Sequence, residues 1–211
     1  MLSLPMKVVL YVCLGYLSGN IMYAYWVPKL LKGVDVRDYG ADHNPGAANA
    51  TLACGLPMGI LCAVLDILKG TVPVTLALHV SDITGWALVP IVLAPVVGHA
   101  WPLLIPGKGG KAIATSFGVF IGLMPEILLA VLWAALLLIC LPFIKEHREL
   151  ILITSALLAM LTFVIYPTSS VRAMSCGVSG ILMYKHRPIK EKTPEAVALP
   201  TAHKNRKGSC S

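Results

Sequence analysis

The chain has 211 residues, of which 57% are hydrophobic and only 13% charged, with a mean hydropathy of +0.78. So little charge, with the apolar residues gathered in long blocks, excludes an ordinary water-soluble domain and points to a polytopic membrane protein. The formal charge of +7 is concentrated late, where Lys185, Arg187, Lys190, Lys192, Lys204, Arg206 and Lys207 stand against Glu191 and Glu195; this suits anionic lipid at a cytoplasmic face and not nucleic acid, since a folded basic face with aromatics is missing.

In chain order, residues 8–27 form an uncharged run long enough for a bilayer core of roughly 30 Å, and a retained first helix is expected over 4–27. Ser18-Gly19-Asn20 within it are small and polar, as close helix packing requires. Lys29, Lys32 and Arg37 then assign the following loop to the cytoplasm and the N-terminus to the outside. That loop contains Asn44-Pro45-Gly46, a turn signal, with Asn49 and Thr51 just beyond. These neutral groups suit either a ligand or a solvated loop.

Asp66 and Lys69 come next, three apart and so on one helix face, inside an apolar segment. Ionisable groups at membrane depth point first to function, and a structural ion pair is the competing reading. Gly70 and Pro73 predict a broken span over 55–80, followed by one over 83–97; His79 reads as a helix-end packing residue.

The stretch 98–115 holds His99, Lys108, Gly109, Gly110 and Lys111 between apolar runs. Glycines let backbone N–H groups approach a ligand, and a helix starting near Ala112 would add its positive end. Phosphate binding and a plain basic turn between helices both fit these residues. The spacing is not that of a Walker loop.

Further spans are expected over 112–124, 127–144, 150–166 and 171–184, with Lys145-Glu146-His147-Arg148-Glu149 as a solvated connector. The fold class is therefore an all-α integral membrane protein of about seven transmembrane helices, some short or broken, with the N-terminus outside and the C-terminus cytoplasmic. Residues 1–187 form the membrane domain and 188–211 a basic, disordered tail. Six scattered cysteines show no metal or disulfide pattern. No histidine has an aspartate five residues on, which removes His-x-x-x-x-Asp acyltransferase chemistry.

Three motifs stand in order: Asn44-Pro45-Gly46-Ala47-Ala48-Asn49, then Asp66-x-x-Lys69-Gly70-x-x-Pro73, then Gly98-His99-x-x-Pro102 with Lys108-Gly109-Gly110-Lys111-x-x-Ala114-Thr115. Together with the chain length and the ending Tyr184-Lys185-His186-Arg187, this set resembles the bacterial PlsY family, membrane glycerol-3-phosphate acyltransferases that use acyl-phosphate. The resemblance implies a multi-pass protein of the bacterial inner membrane whose active site faces the cytoplasm. It implies acyl transfer from acyl-phosphate to glycerol-3-phosphate, giving lysophosphatidic acid for phospholipid synthesis, with no metal, no other cofactor and no acyl-CoA. His99 and Lys111 are implied as catalytic. Asn44, Gly46, Asn49, Lys69, Lys108, Gly109, Gly110 and Thr115 are implied as phosphate- or substrate-binding. A catalytically impaired paralogue with another acceptor or a binding role, and a small transporter, are the alternative functions.

The chain departs from that family where Gly-Ser-Gly-Asn-x-Gly-Ala-Thr-Asn becomes Ala41-Asp42-His43-Asn44-Pro45-Gly46-Ala47-Ala48-Asn49. Leu52 replaces an arginine, Ala112 a glycine, and Pro188-Ile189 the terminal Glu-Asn-Ile. Asp42 is expected to repel an anionic acceptor and to weaken apparent affinity for glycerol-3-phosphate.

Overall fold

The computed structural model describes residues 2–40, 42–105, 109–124 and 127–187. Among these, the regular structure is entirely helical: α1 (Leu4–Asn20), α2 (Tyr23–Lys32), α3 (Ala47–Cys54), α4 (Leu56–His79), α5 (Leu88–Ala100), α6 (Ile113–Gly122), α7 (Leu128–Cys140), α8 (His147–Ile165) and α9 (Ser169–Lys185). Helices are the natural outcome for apolar segments in lipid, because each satisfies its backbone polar groups internally. The predicted basic tail, 188–211, and Lys108 lie outside the described residues.

Two helices, α4 and α8, are long and apolar enough to cross a membrane alone, and α1 with α2 make a third if that pair, bent by 44°, is one span. Segment 85–100, α6 and α7 are apolar but shorter. Large apolar side chains cover the outer surface, among them Leu17, Ile60, Val72, Leu138, Phe163 and Val164. Such a surface belongs in hydrocarbon, not water.

The first helix is shorter than the predicted 4–27. It stops at Asn20, whose side-chain amide donates to the Tyr16 carbonyl at 2.7 Å. Ile21 turns extended, and its carbonyl accepts from Lys69 Nζ at 2.7 Å. A buried cation thus claims the backbone group that continued helix would use.

The second correction runs the other way. Residues 56–79 are one continuous helix despite Gly70 and Pro73. Pro73 cannot bond the Lys69 carbonyl, and Ser18 Oγ of α1 supplies the missing donor at 2.9 Å. Gly70 is needed for close approach, since a Cβ there would run into the Thr115 carbonyl of α6. Gly19 and Gly98 likewise bring α1 and α5 into backbone contact, as predicted for the small residues of α1. His79 ends α4 with Nε2 on the Met124 carbonyl, 2.8 Å away. Trp133 of α7 stacks on Phe117 of α6 at 4.4 Å within the buried core.

Candidate active site

The first wall of the site is the loop between α2 and α3. Gly33, with φ 68°, ends α2 in the left-handed conformation that glycine adopts without strain. Asp35 then receives both the Arg37 backbone N–H and its guanidinium, at 3.1 and 2.7 Å, which ties the loop down. Gly40, φ 73°, lies against Asn49, leaving no space for a Cβ. Buried Asn49 is the organiser: its side-chain amide donates to Asp42 Oδ1 at 3.1 Å and to the Asn44 carbonyl at 2.8 Å.

The second wall is the start of α6. Ala112 caps it at φ 63°, a left-handed position that costs a residue with a Cβ about 1–2 kcal/mol. Lys111, just before it, reaches Asp42 Oδ2 at 2.8 Å, with both side chains partly exposed (28% and 40%). Burial works against the Asp42 carboxylate, but the Lys111 and Asn49 hydrogen bonds outweigh it and hold its pKa below the usual value.

The floor is His99 on the last turn of α5, only 4% exposed. Its Nδ1 shares a hydrogen bond of 3.2 Å with Thr115 Oγ1 and lies 4.0 Å from Asp66 Oδ1. Asp66 pairs with Lys69 at 2.7 Å, both side chains nearly excluded from solvent (3% and 1%). A charge pair at that depth is stable only because the partners neutralise each other.

These walls enclose a cavity of about 360 Å³, lined by Asp42, Asn44, Gly46, Asp66, His99, Lys111 and His147 among others. Ala47 and Ala48 open α3, Ile113 and Ala114 open α6, and His147 opens α8; all five line it. None of these three helices has a side-chain cap on its N-terminus. Uncapped first-turn N–H groups and the positive ends of helix dipoles favour an anion.

The glycerol-3-phosphate acyltransferase family model matches residues 9–192. The chain is 35% identical over 178 residues to a glycerol-3-phosphate acyltransferase of Fusobacterium nucleatum subsp. nucleatum, covering 84% of this chain and 89% of that one. It is also 35% identical over 186 residues to the one from Aquifex aeolicus, covering 86% and 93%. The chain belongs to the glycerol-3-phosphate acyltransferase family. The fold agrees: the crystal structure of PlsY, an integral membrane glycerol 3-phosphate acyltransferase, in its glycerol 3-phosphate form superposes with a TM-score of 0.75 at 31% identity, over 85% of this chain and 88% of that one.

Of the residues expected to form the acyltransferase site, Asn44, Gly46, His99 and Lys111 line one cavity. Asn49 and Thr115 stand behind it, holding Asp42 and His99. Lys69 departs from the expectation that it adds charge to a phosphate: Asp66 and the Ile21 carbonyl occupy it. Gly109 and Gly110 also differ. The Gly110 N–H donates to the His99 carbonyl at 3.0 Å, and a Cβ on Gly110 would overlap His99 Nε2, while one on Gly109 would strike the Ala100 carbonyl. Both positions require close approach, Gly110 against the His99 ring and Gly109 against the Ala100 carbonyl. Asp42 does not stand as a bare repulsive charge, since Lys111 neutralises it. Leu52, 66% exposed on α3, is absent from the lining.

Three contributors were not foreseen. His147, expected in a solvated connector, begins α8 and lines the cavity. His186 is buried behind it, ring centroids 6.3 Å apart, with Nδ1 donating to the Leu182 carbonyl at 2.8 Å and Nε2 without a partner among the described residues. Burial pushes its pKa down to about 4, against the Leu182 bond and assisted by Lys111, His147 and Lys185. Lys185 Nζ donates to the carbonyls of Ala100 and Gly109, at 2.8 and 3.4 Å, and so fastens the end of α9 to the glycine turn. The cationic run Lys185-His186-Arg187 closing the last apolar segment was the available signal.

Proposed function

We propose that this membrane glycerol-3-phosphate acyltransferase takes its acyl group from an acyl phosphate, in the cavity between α3, α5, α6 and α8. The observation that carries the reading is the convergence of three uncapped helix N-termini and Lys111 on one cavity. Both substrates bear phosphate, and both products, lysophosphatidic acid and inorganic phosphate, keep it. In the reaction the acceptor hydroxyl oxygen bonds to the acyl carbon, the bond from that carbon to the phosphate oxygen breaks, and the hydroxyl proton leaves with the phosphate. Lys111 and the helix ends hold phosphate oxygens and stabilise the negative charge that develops there. His99, fixed by Thr115 and backed by Gly110, orients the substrates at the floor.

The same reading puts the cavity at the cytoplasmic face of a bacterial inner membrane, with seven membrane-embedded segments and the N-terminus outside. The charge pattern supports it: Lys29, Lys32, Arg37, Lys111, Lys145, Arg148, Lys185 and Arg187 lie within or just beyond helix ends on the cavity side, whereas Lys7 and Arg172 belong to the other end. At ten residues, α6 is about 15 Å long, so the bilayer must thin around it or polar loops must enter the interface.

The test is turnover by purified protein with acyl phosphate and glycerol-3-phosphate, scored as lysophosphatidic acid and phosphate released in equal amounts. Lys111→Ala should retain the fold and lose about ten- to a hundredfold in kcat/KM, the worth of one charge-assisted contact. Equal turnover with acyl-CoA, or an unaffected Lys111→Ala variant, would overturn the assignment.

A further inference from the structure

We propose that Asp42 is an internal counterion: it occupies Lys111 while the site is empty, yields that lysine to an incoming phosphate, and so sets how tightly the site holds phosphate-bearing substrates. The inference rests on the phosphate reading of the cavity and adds a specificity-determining residue to it.

The geometry divides the Asp42 carboxylate into a fixed and an exchangeable half. Oδ1 accepts from the Asn49 amide at 3.1 Å and from the Asn44 backbone N–H at 3.3 Å. Asn49 is buried and held by a second bond to the Asn44 carbonyl, so this half belongs to the loop. Among the described residues Oδ2 meets only the Lys111 ammonium, at 2.8 Å, on the cavity side. A phosphate oxygen seeking Lys111 has to take the place of Oδ2.

Exchange is feasible here for a reason that the neighbouring ion pair makes plain. Asp66 and Lys69 are almost wholly removed from water, and separating them would strand two buried charges. Asp42 and Lys111 are 40% and 28% exposed, so water can solvate both during the exchange. Lys111 carries its charge on a flexible four-carbon stem beside the first turn of α6, within the same cavity. Asp42, in contrast, stays tethered through Oδ1 and remains a like charge near the bound phosphate. Binding therefore loses one ion pair and gains one repulsion. Both effects lower affinity for substrate and product alike, and recapture of Lys111 by Asp42 favours release of anionic products.

The experiment measures binding of inorganic phosphate and of glycerol-3-phosphate to the full-length protein in detergent, for wild type, Asp42→Asn, Lys111→Gln and the double variant. Asn keeps an oxygen for Asn49 and for the Asn44 N–H, so the loop is retained; Asp42→Ser is the second variant should that one not fold. Asp42→Asn is expected to bind both probes about fivefold more tightly, as befits a partly exposed ion pair, with a matching fall in KM for glycerol-3-phosphate. In the Lys111→Gln background the same change should tighten binding by less than half as much, because the lysine is what Asp42 withholds. Unchanged or weaker binding in Asp42→Asn overturns the proposal, as does a loss of kcat at saturating substrate with KM unmoved, which would make Asp42 a group acting in the chemistry. Binding that Lys111→Gln abolishes while Asp42→Asn fails to tighten it would sink the counterion alone. Absence of phosphate binding in every protein would sink the phosphate cavity with it.

Discussion

Gly110→Ala is a one-carbon change whose effect follows from the packing of a single ring. The three atoms that a Cβ on Gly110 would meet first all belong to the His99 imidazole, with Nε2 nearest. That ring has little room to retreat: His99 is 4% exposed, its Nδ1 is bonded to Thr115, and its carbonyl holds the Gly110 N–H. Overpacking of this kind costs about 1–3 kcal/mol. Rotation to relieve it breaks the Thr115 bond, worth about 1 kcal/mol. A displacement of about 1 Å in a positioned group is enough for roughly a hundredfold loss of rate. Steady-state assays of Gly110→Ala should show kcat reduced about ten- to a hundredfold, with thermal unfolding in detergent lowered by a smaller but measurable amount. A double-mutant cycle isolates the cause. In a His99→Ala background the ring is gone, and the stability penalty of Gly110→Ala should shrink to under about 0.5 kcal/mol. A full penalty there, or a kcat within twofold of wild type in the single variant, would refute the claim that this glycine exists to admit His99.

Lys69→Met strands the buried Asp66 carboxylate and should cost about 3–5 kcal/mol in denaturant unfolding, much of it recovered by adding Asp66→Asn; a loss below about 1 kcal/mol would contradict the pairing. His186 is neutral in the fold with a pKa near 4, whereas an unfolded histidine titrates near 6.5. Its folded pKa lies below its unfolded one, so protonation favours the unfolded chain: its contribution is intact above pH 6.5 and is lost as pH falls toward 4. His186→Phe should flatten the stability profile in that window, and an unchanged slope would remove His186 as the cause. For the topology, Cys210 left as the single cysteine should be shielded from an impermeant thiol reagent in intact cells and labelled after lysis; labelling before lysis would reverse the orientation.

What the sequence makes legible here is what depends on neighbours in the chain. Long apolar runs give helices, and an i, i+3 spacing gives the Asp66–Lys69 pair, because both follow from helical geometry alone. The break at Asn20 follows a glycine, Gly19, that serves close packing against α5, and its cause, Lys69, is far along the chain. The continuity of α4 through Pro73 is hidden for the same reason, since its compensating donor is Ser18. Glycine is ambiguous in a different way. Positive φ and close approach both select it, and a sequence shows only the residue. Gly109 and Gly110 answer to close approach, while the left-handed position beside them is filled by Ala112. Histidines 147 and 186 acquire meaning only when α8 and α9 bring them together, His147 in the cavity wall and His186 behind it. Asp42 shows the same limit in electrostatic form. A carboxylate in an anion site reads as repulsion when weighed against the ligand alone. Weighed with Lys111 at 2.8 Å, it is one half of a neutral pair, and its effect on an incoming phosphate becomes the difference between two occupants of one lysine. That difference can be altered at residue 42 with every other cavity group left in place.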